Sequence, residues 1–161
     1  MQEQQSEFLK SLVGHWAGTV LTWFEPDVLS DESTVEGQFR LIGNGSFLRH
    51  TYSGSMQGKP RTGETTIVFN HVSNQYQLSW FDDFHMNYGL LMSEGSVTPS
   101  GFSVTGLYAV GNHHPDWAWE TEYERLDADH LNVTAYNITP TGEKAKAVET
   151  KYIRQALKSS P

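Results

Sequence analysis

Cysteine is absent from this 161-residue chain, which removes disulfides, thiolate nucleophiles and zinc–thiolate sites from consideration. Basic residues are scarce too: 11 Lys and Arg stand against 19 Asp and Glu, for a formal net charge of -8 and a pI near 5.2. A nucleic-acid partner calls for a basic footprint, so none is expected. No apolar run approaches the roughly 18 residues of a membrane span, and a mean hydropathy of -0.50 agrees with a chain that stays out of the bilayer. The opening stretch MQEQQSEFLKSLVG lacks the basic end and apolar run of a secretory signal, so a cytoplasmic location is expected. Gly-x-Ser-x-Gly, His-Glu-x-x-His and phosphate-cradling glycine motifs are missing as well. On these grounds no catalytic residue, no metal site and no cofactor is assigned.

What is present points to an all-β fold. Phe8, Leu9, Leu12 and Val13 fall on one helical face, predicting one short helix over residues 3–13 with Ser6 as its cap. From Gly14 onward the texture changes to segments of eight to ten residues rich in Thr, Val and aromatics, punctuated by Gly, Pro, Asn and Asp. About ten such segments follow, joined mostly by intervals short enough for hairpins. That order predicts a single domain over residues 1–161, an up-and-down antiparallel β-barrel of about ten strands spanning residues 14–155. Closure of so long a meander removes its unpaired edges, and a barrel of this size is wide enough to hold one small ligand.

Side chains alternate between the two faces of a strand, so spacing assigns faces. Trp117, Trp119, Thr121 and Tyr123 alternate with Glu120, Glu122 and Glu124, which puts the aromatics inside. By the same count Tyr76, Leu78, Trp80 and Asp82 share the inner face, as do Met86, Tyr88, Leu90 and Met92, and Phe102, Val104, Gly106 and Tyr108. His50 and Tyr52 fall together on the third strand, and Glu64 with Thr66 and Val68 on the fourth. Phe24 joins the aromatics that form either plain core or cavity wall. A carboxylate aimed into an apolar interior must be paired, protonated or wet. The expected ligand-binding set is therefore His50, Tyr52, Glu64, Trp80, Asp82, Tyr88, Tyr108 and Trp119. The pair of histidines in HHPD, His113 and His114 with Asp116, is assigned to a solvated loop, because neighbours in a Pro-containing loop rarely converge on one ion.

GHW at residues 14–16, at the start of the first strand, resembles the Gly-x-Trp mark of lipocalin-like (calycin) barrels. That resemblance implies that Trp16 closes the floor and that Arg154, in YIR near the end of the last strand, lies across it. Over nearly the whole chain the sequence resembles the domain of unknown function 1579 family of bacterial lipocalin-like proteins. The resemblance rests on LVGHWAGTVLTWFEP, YSGSMQGKP, YQLSWFDD and PTGEKAKAVETKYIR; VFNHV at residues 68–72 departs from the family's Gly-Tyr-Asp. It implies a barrel and leaves the chemistry open.

The first functional expectation is a non-enzymatic protein holding a small, partly apolar or aromatic ligand in the barrel. A second is haem binding, implied by the resemblance to the nitrobindin kind of barrel, which uses a histidine. A third is a small enzyme in which Glu64 or Asp82 works with His50 in proton transfer. The expected partner is a small molecule, with no nucleic acid and no membrane; whether the chain forms a homodimer stays open.

Overall fold

Runs of Val, Thr and aromatic residues interleaved with polar ones carry the chain through ten antiparallel strands. A computed structural model describes residues 2–156. Helix α1 covers Gln2–Ser11, and the strands are β1 Gly14–Glu25, β2 Val28–Ile42, β3 Phe47–Met56, β4 Lys59–Asn70 and β5 Gln75–Asp82, then β6 Leu91–Thr98, β7 Gly101–Tyr108, β8 Trp117–Arg125, β9 His130–Ile138 and β10 Lys144–Arg154. Each strand pairs with its neighbours in sequence, and β1 pairs with β10 from Trp16↔Arg154 to Thr22↔Val148, so the sheet closes on itself. No helix among the described residues is long and apolar enough to cross a membrane.

The two ends of the barrel are built differently. At the end where β1 starts, α1 lies across the opening and buries Leu9 and Leu12. Phe8 meets Phe102 edge-on with ring centroids 6.1 Å apart, and the Tyr76 hydroxyl donates to Gln5 Oε1 at 2.7 Å. Trp16 is buried beneath the helix and donates its indole N–H to the carbonyl of Leu12 at 2.9 Å. The Arg154 guanidinium sits 4.3 Å from the centre of the Trp16 ring and donates to the carbonyls of Val13 and Ser11 at 2.8 and 2.7 Å. Arg154 therefore binds β10 to the helix–strand junction while capping the indole. Gly14, at φ 138°, leaves room there: a Cβ would stand 3.0 Å from Arg154 Nη1. Above this floor Tyr76, Phe102 and Tyr123 stack in succession, with centroid separations of 4.2 and 4.9 Å.

Two stretches near the mouth depart from the alternation read in the sequence. Residues 86–90, expected in a sixth strand, belong to a loop over residues 83–90 at the far end, and β6 begins only at Leu91. The pairings Trp80↔Leu91 and Leu78↔Ser93 turn Leu91 and Ser93 inward, so Met92, expected inside, is 64% exposed. Tyr88 and Leu90 are exposed as well, and Met86 is buried from the loop rather than from a strand. Phe24, expected in the core or cavity wall, is 48% exposed at the open rim and stacks on Phe84 at 5.7 Å.

Truncating Trp16 to Ala should lower folding stability by about 3–5 kcal/mol, the usual cost of removing a buried aromatic. Arg154→Ala should reproduce part of that loss, and the double variant should lose less than the sum, because the two side chains share one contact. Urea unfolding of the four proteins checks this; strict additivity would mean that the guanidinium and the indole act independently.

Candidate functional site

Midway up the barrel the packing changes from apolar to hydrogen-bonded. His50, fully enclosed, stacks face to face on Phe39 at 4.0 Å and is held between two phenols: Nδ1 lies 3.0 Å from the Tyr123 hydroxyl and Nε2 lies 3.0 Å from the Tyr152 hydroxyl. Neutral imidazole has one N–H donor and one bare acceptor nitrogen, so one tyrosine accepts from His50 and the other donates to it. Burial lowers the His50 pKa from 6.5 to about 3, and burial likewise raises those of Tyr123 and Tyr152. All three groups are neutral over the ordinary pH range.

Gly37 on β2 makes this layer fit. It faces inward between Val35 and Phe39, and a Cβ there would fall 2.6 Å from the Tyr152 hydroxyl. Gly63 on β4 does the same for Tyr52, whose hydroxyl would stand 2.1 Å from an added Cβ. Two phenols thus lie flat over backbone that carries no side chain.

Above His50 a second polar chain runs toward the mouth. Trp80 donates its indole N–H to the Tyr52 hydroxyl at 2.9 Å, and Tyr52 donates onward to Asp82 Oδ2 at 3.0 Å. Asp82 ends β5 and anchors the following loop, its Oδ1 accepting the backbone N–H groups of Phe84, His85 and Met86 at 2.9, 2.5 and 3.1 Å. His85 Nδ1 lies 3.7 Å from Asp82 Oδ2, beyond a hydrogen bond and within reach of charge attraction. Burial alone would raise the Asp82 pKa, but His85 and the backbone donors outweigh it and hold the carboxyl at about 2. Burial, reinforced by the neighbouring Asp82 charge, pushes the Tyr52 hydroxyl upward.

Between these two layers lies a cavity of about 70 Å³, several times the roughly 10–15 Å³ that one water occupies on the same measure. Trp80 and Trp119, stacked at 5.3 Å, form one wall, with Val35, Leu78, Val133, Ala135 and Val148 completing the apolar lining. His50, Tyr52, Arg61, Asp82 and His85 supply its polar edge.

The family described as a protein of unknown function (DUF1579) matches residues 2–154. The chain belongs to the DUF1579 family. No curated protein matches it. Among solved structures, this DUF1579 barrel is similar to Rv2717c from M. tuberculosis at 18% identity and TM-score 0.65, covering 93% of this chain and 96% of that one. It is also similar to the S-type phycobiliprotein lyase CPES from Guillardia theta at 13% identity and TM-score 0.66, covering 98% and 99%. At such identities these likenesses concern the fold.

Of the eight residues singled out in the sequence, His50, Tyr52, Trp80, Asp82 and Trp119 border this one cavity. Tyr108 stands just outside it, edge-on to Trp119 at 6.5 Å, with its hydroxyl donating to Asn137 Oδ1 at 2.5 Å. Tyr88 is not on an inner face: it is 64% exposed in the mouth loop. Glu64 points outward too, its Oε1 2.9 Å from Arg49 Nε on the barrel surface, while Thr65 and Ile67 face in. The reason is turn arithmetic. Gln57 and Gly58, at φ 50° and 75°, make a two-residue hairpin turn that pairs Met56 with Lys59. Counting back from it sets His50 opposite Thr65 and Tyr52 opposite Gly63, and directly opposed residues share a face. That count also turns Arg61 inward.

The buried imidazole has a consequence for stability. Below its unfolded pKa of 6.5 the unfolded chain takes up a proton at His50 that the folded state refuses until about pH 3, so stability falls as pH drops through this window. Asp82 adds to the loss only lower, between 3.8 and about 2. From pH 6.5 to about 4.5 the urea midpoint should therefore fall steadily, at up to roughly 1.4 kcal/mol per pH unit, and His50→Gln should flatten the slope. Equal slopes in the two proteins would show that His50 titrates normally.

Proposed function

We propose that this protein binds a small, partly apolar molecule inside the mouth half of the barrel. The observation that carries this reading is the contrast between the halves: one end packed solid with stacked aromatics under a helix, the other left hollow beside hydrogen-bonding groups already fixed in place. Binding sites are largely preformed, mostly apolar and furnished with a few placed polar groups, and the wall made by Trp80, Trp119 and Leu78 with its polar edge fits that description. The likeness to a phycobiliprotein lyase contributes the shared fold; the cavity contributes the argument.

The haem alternative draws less support from the geometry. Both ring nitrogens of His50 are engaged by tyrosine hydroxyls, and a macrocycle would need far more room than 70 Å³. A proton-transfer enzyme would need His50 within hydrogen-bond reach of a carboxylate. Its ring nitrogens instead meet two phenols, and Glu64 lies on the opposite face of the sheet.

The test is an NMR titration with the neutral probe 3-phenylpropanamide. At roughly 0.4–0.5 kcal/mol per heavy atom its Kd should be about 0.1–1 mM. Shifts should concentrate on the indole N–H signals of Trp80 and Trp119 and spare those of Trp16 and Trp23. Filling the space with Ala135→Phe should abolish the shifts while the variant stays folded. Shifts confined to the outer surface, or unaffected by the filled cavity, would defeat the proposal.

A further inference from the structure

Arg61 is the one charged group lining the cavity whose charge the described residues leave unanswered. It faces inward from β4 at 5% exposure, and the strand position opposite it is Gly54, which offers no side chain. Its Nε has no hydrogen-bond partner among the described residues, and no described carboxylate lies within ion-pair distance. Its central guanidinium carbon lies 5.3 Å from the centre of the Tyr52 ring. Arginine remains charged at any pH a protein survives, so this charge cannot be shed by losing a proton.

The nearby buried carboxylate does not resolve the matter. Asp82 spends Oδ1 on three backbone donors of the mouth loop and accepts the Tyr52 hydroxyl on Oδ2, with the His85 ring 3.7 Å from the same oxygen. Asp82 makes no ion pair with Arg61 among the described residues, and the buried Arg61 Nε is left without an acceptor. A buried charge without a partner is destabilising in the free protein, and polar groups of that kind are retained at sites where a ligand completes them.

We infer that the molecule the barrel takes is a small organic acid whose carboxylate accepts hydrogen bonds from Arg61 while its apolar body lies against Trp80 and Trp119. The inference rests on the cavity being a binding site and adds the class of ligand. A planar guanidinium matches a carboxylate in two parallel hydrogen bonds, which a neutral amide cannot reproduce. His50 and the tyrosines, all uncharged, border the site without competing for the anion.

The experiment compares 3-phenylpropionate with the isosteric 3-phenylpropanamide at neutral pH, on the wild-type protein and on Arg61→Met, by calorimetry and the same NMR signals. The wild type should bind the acid about tenfold or more tighter than the amide. In Arg61→Met the two affinities should become equal, with the amide unchanged within about twofold. Unliganded Arg61→Met should melt at or above the wild-type temperature, since an unpaired buried charge has been replaced by an apolar chain of similar length. Equal wild-type affinities for acid and amide would overturn the anion reading and leave the cavity reading standing. Failure of both probes to bind would overturn the two together. A marked drop in melting temperature for Arg61→Met would make Arg61 a structural residue packed on Tyr52; should that variant not fold, the wild-type comparison decides alone.

Discussion

A ten-stranded closed sheet encloses more space than aliphatic side chains can fill, and the rest of this structure follows from how that space is divided. The packed half is filled by rings: Trp16 under α1, then Tyr76, Phe102 and Tyr123 in a stack. The stack ends at His50, where the imidazole ties β3 to β8 through Tyr123 and to β10 through Tyr152. This neutral bridge spans the interior and acts as a partition. Below it the core is packed with apolar and aromatic side chains; above it lie the cavity and the mouth. The inward glycines belong to the same economy of space, since Gly37 and Gly63 let Tyr152 and Tyr52 lie against bare backbone.

The two charges of the upper half are treated in opposite ways. Asp82 is satisfied from within the fold by backbone donors, Tyr52 and His85, and in return it shapes residues 83–90 into the loop that borders the mouth. Arg61 is satisfied by nothing comparable. An anion held by several donors and a cation whose Nε lacks an acceptor share one hollow, which gives the interior a direction. The chain as a whole carries a net charge of -8, so the cation in the cavity runs against the overall charge.

Much of this was legible in the amino-acid order. Ten alternating segments and short intervals implied the closed meander, and Gly14-His15-Trp16 with Arg154 implied its floor. The inward aromatics of β5 and β8 followed from period two alone, because those strands run uninterrupted. Errors arose where a turn decides parity. On β4 the alternation was counted with Glu64, Thr66 and Val68 inward, one residue out of step, although the Gln57-Gly58 turn held the information needed to count correctly. Tyr88 misled for another reason: MNYGLLMSEG has strand-like composition, and only the three backbone hydrogen bonds to Asp82 show that its first half is held as a loop. The tyrosine bridge over His50 joins residues 73 and 102 positions apart, and no local pattern announces a contact of that range.

The most direct test of the account is a crystal structure of the protein purified without added ligand. It should show His50 between the hydroxyls of Tyr123 and Tyr152, and above it electron density for water or a retained small molecule in the space bounded by Arg61, Trp80 and Trp119. A structure in which Trp80 or Trp119 swings inward to fill that space, or in which a protein carboxylate pairs with Arg61, would contradict it.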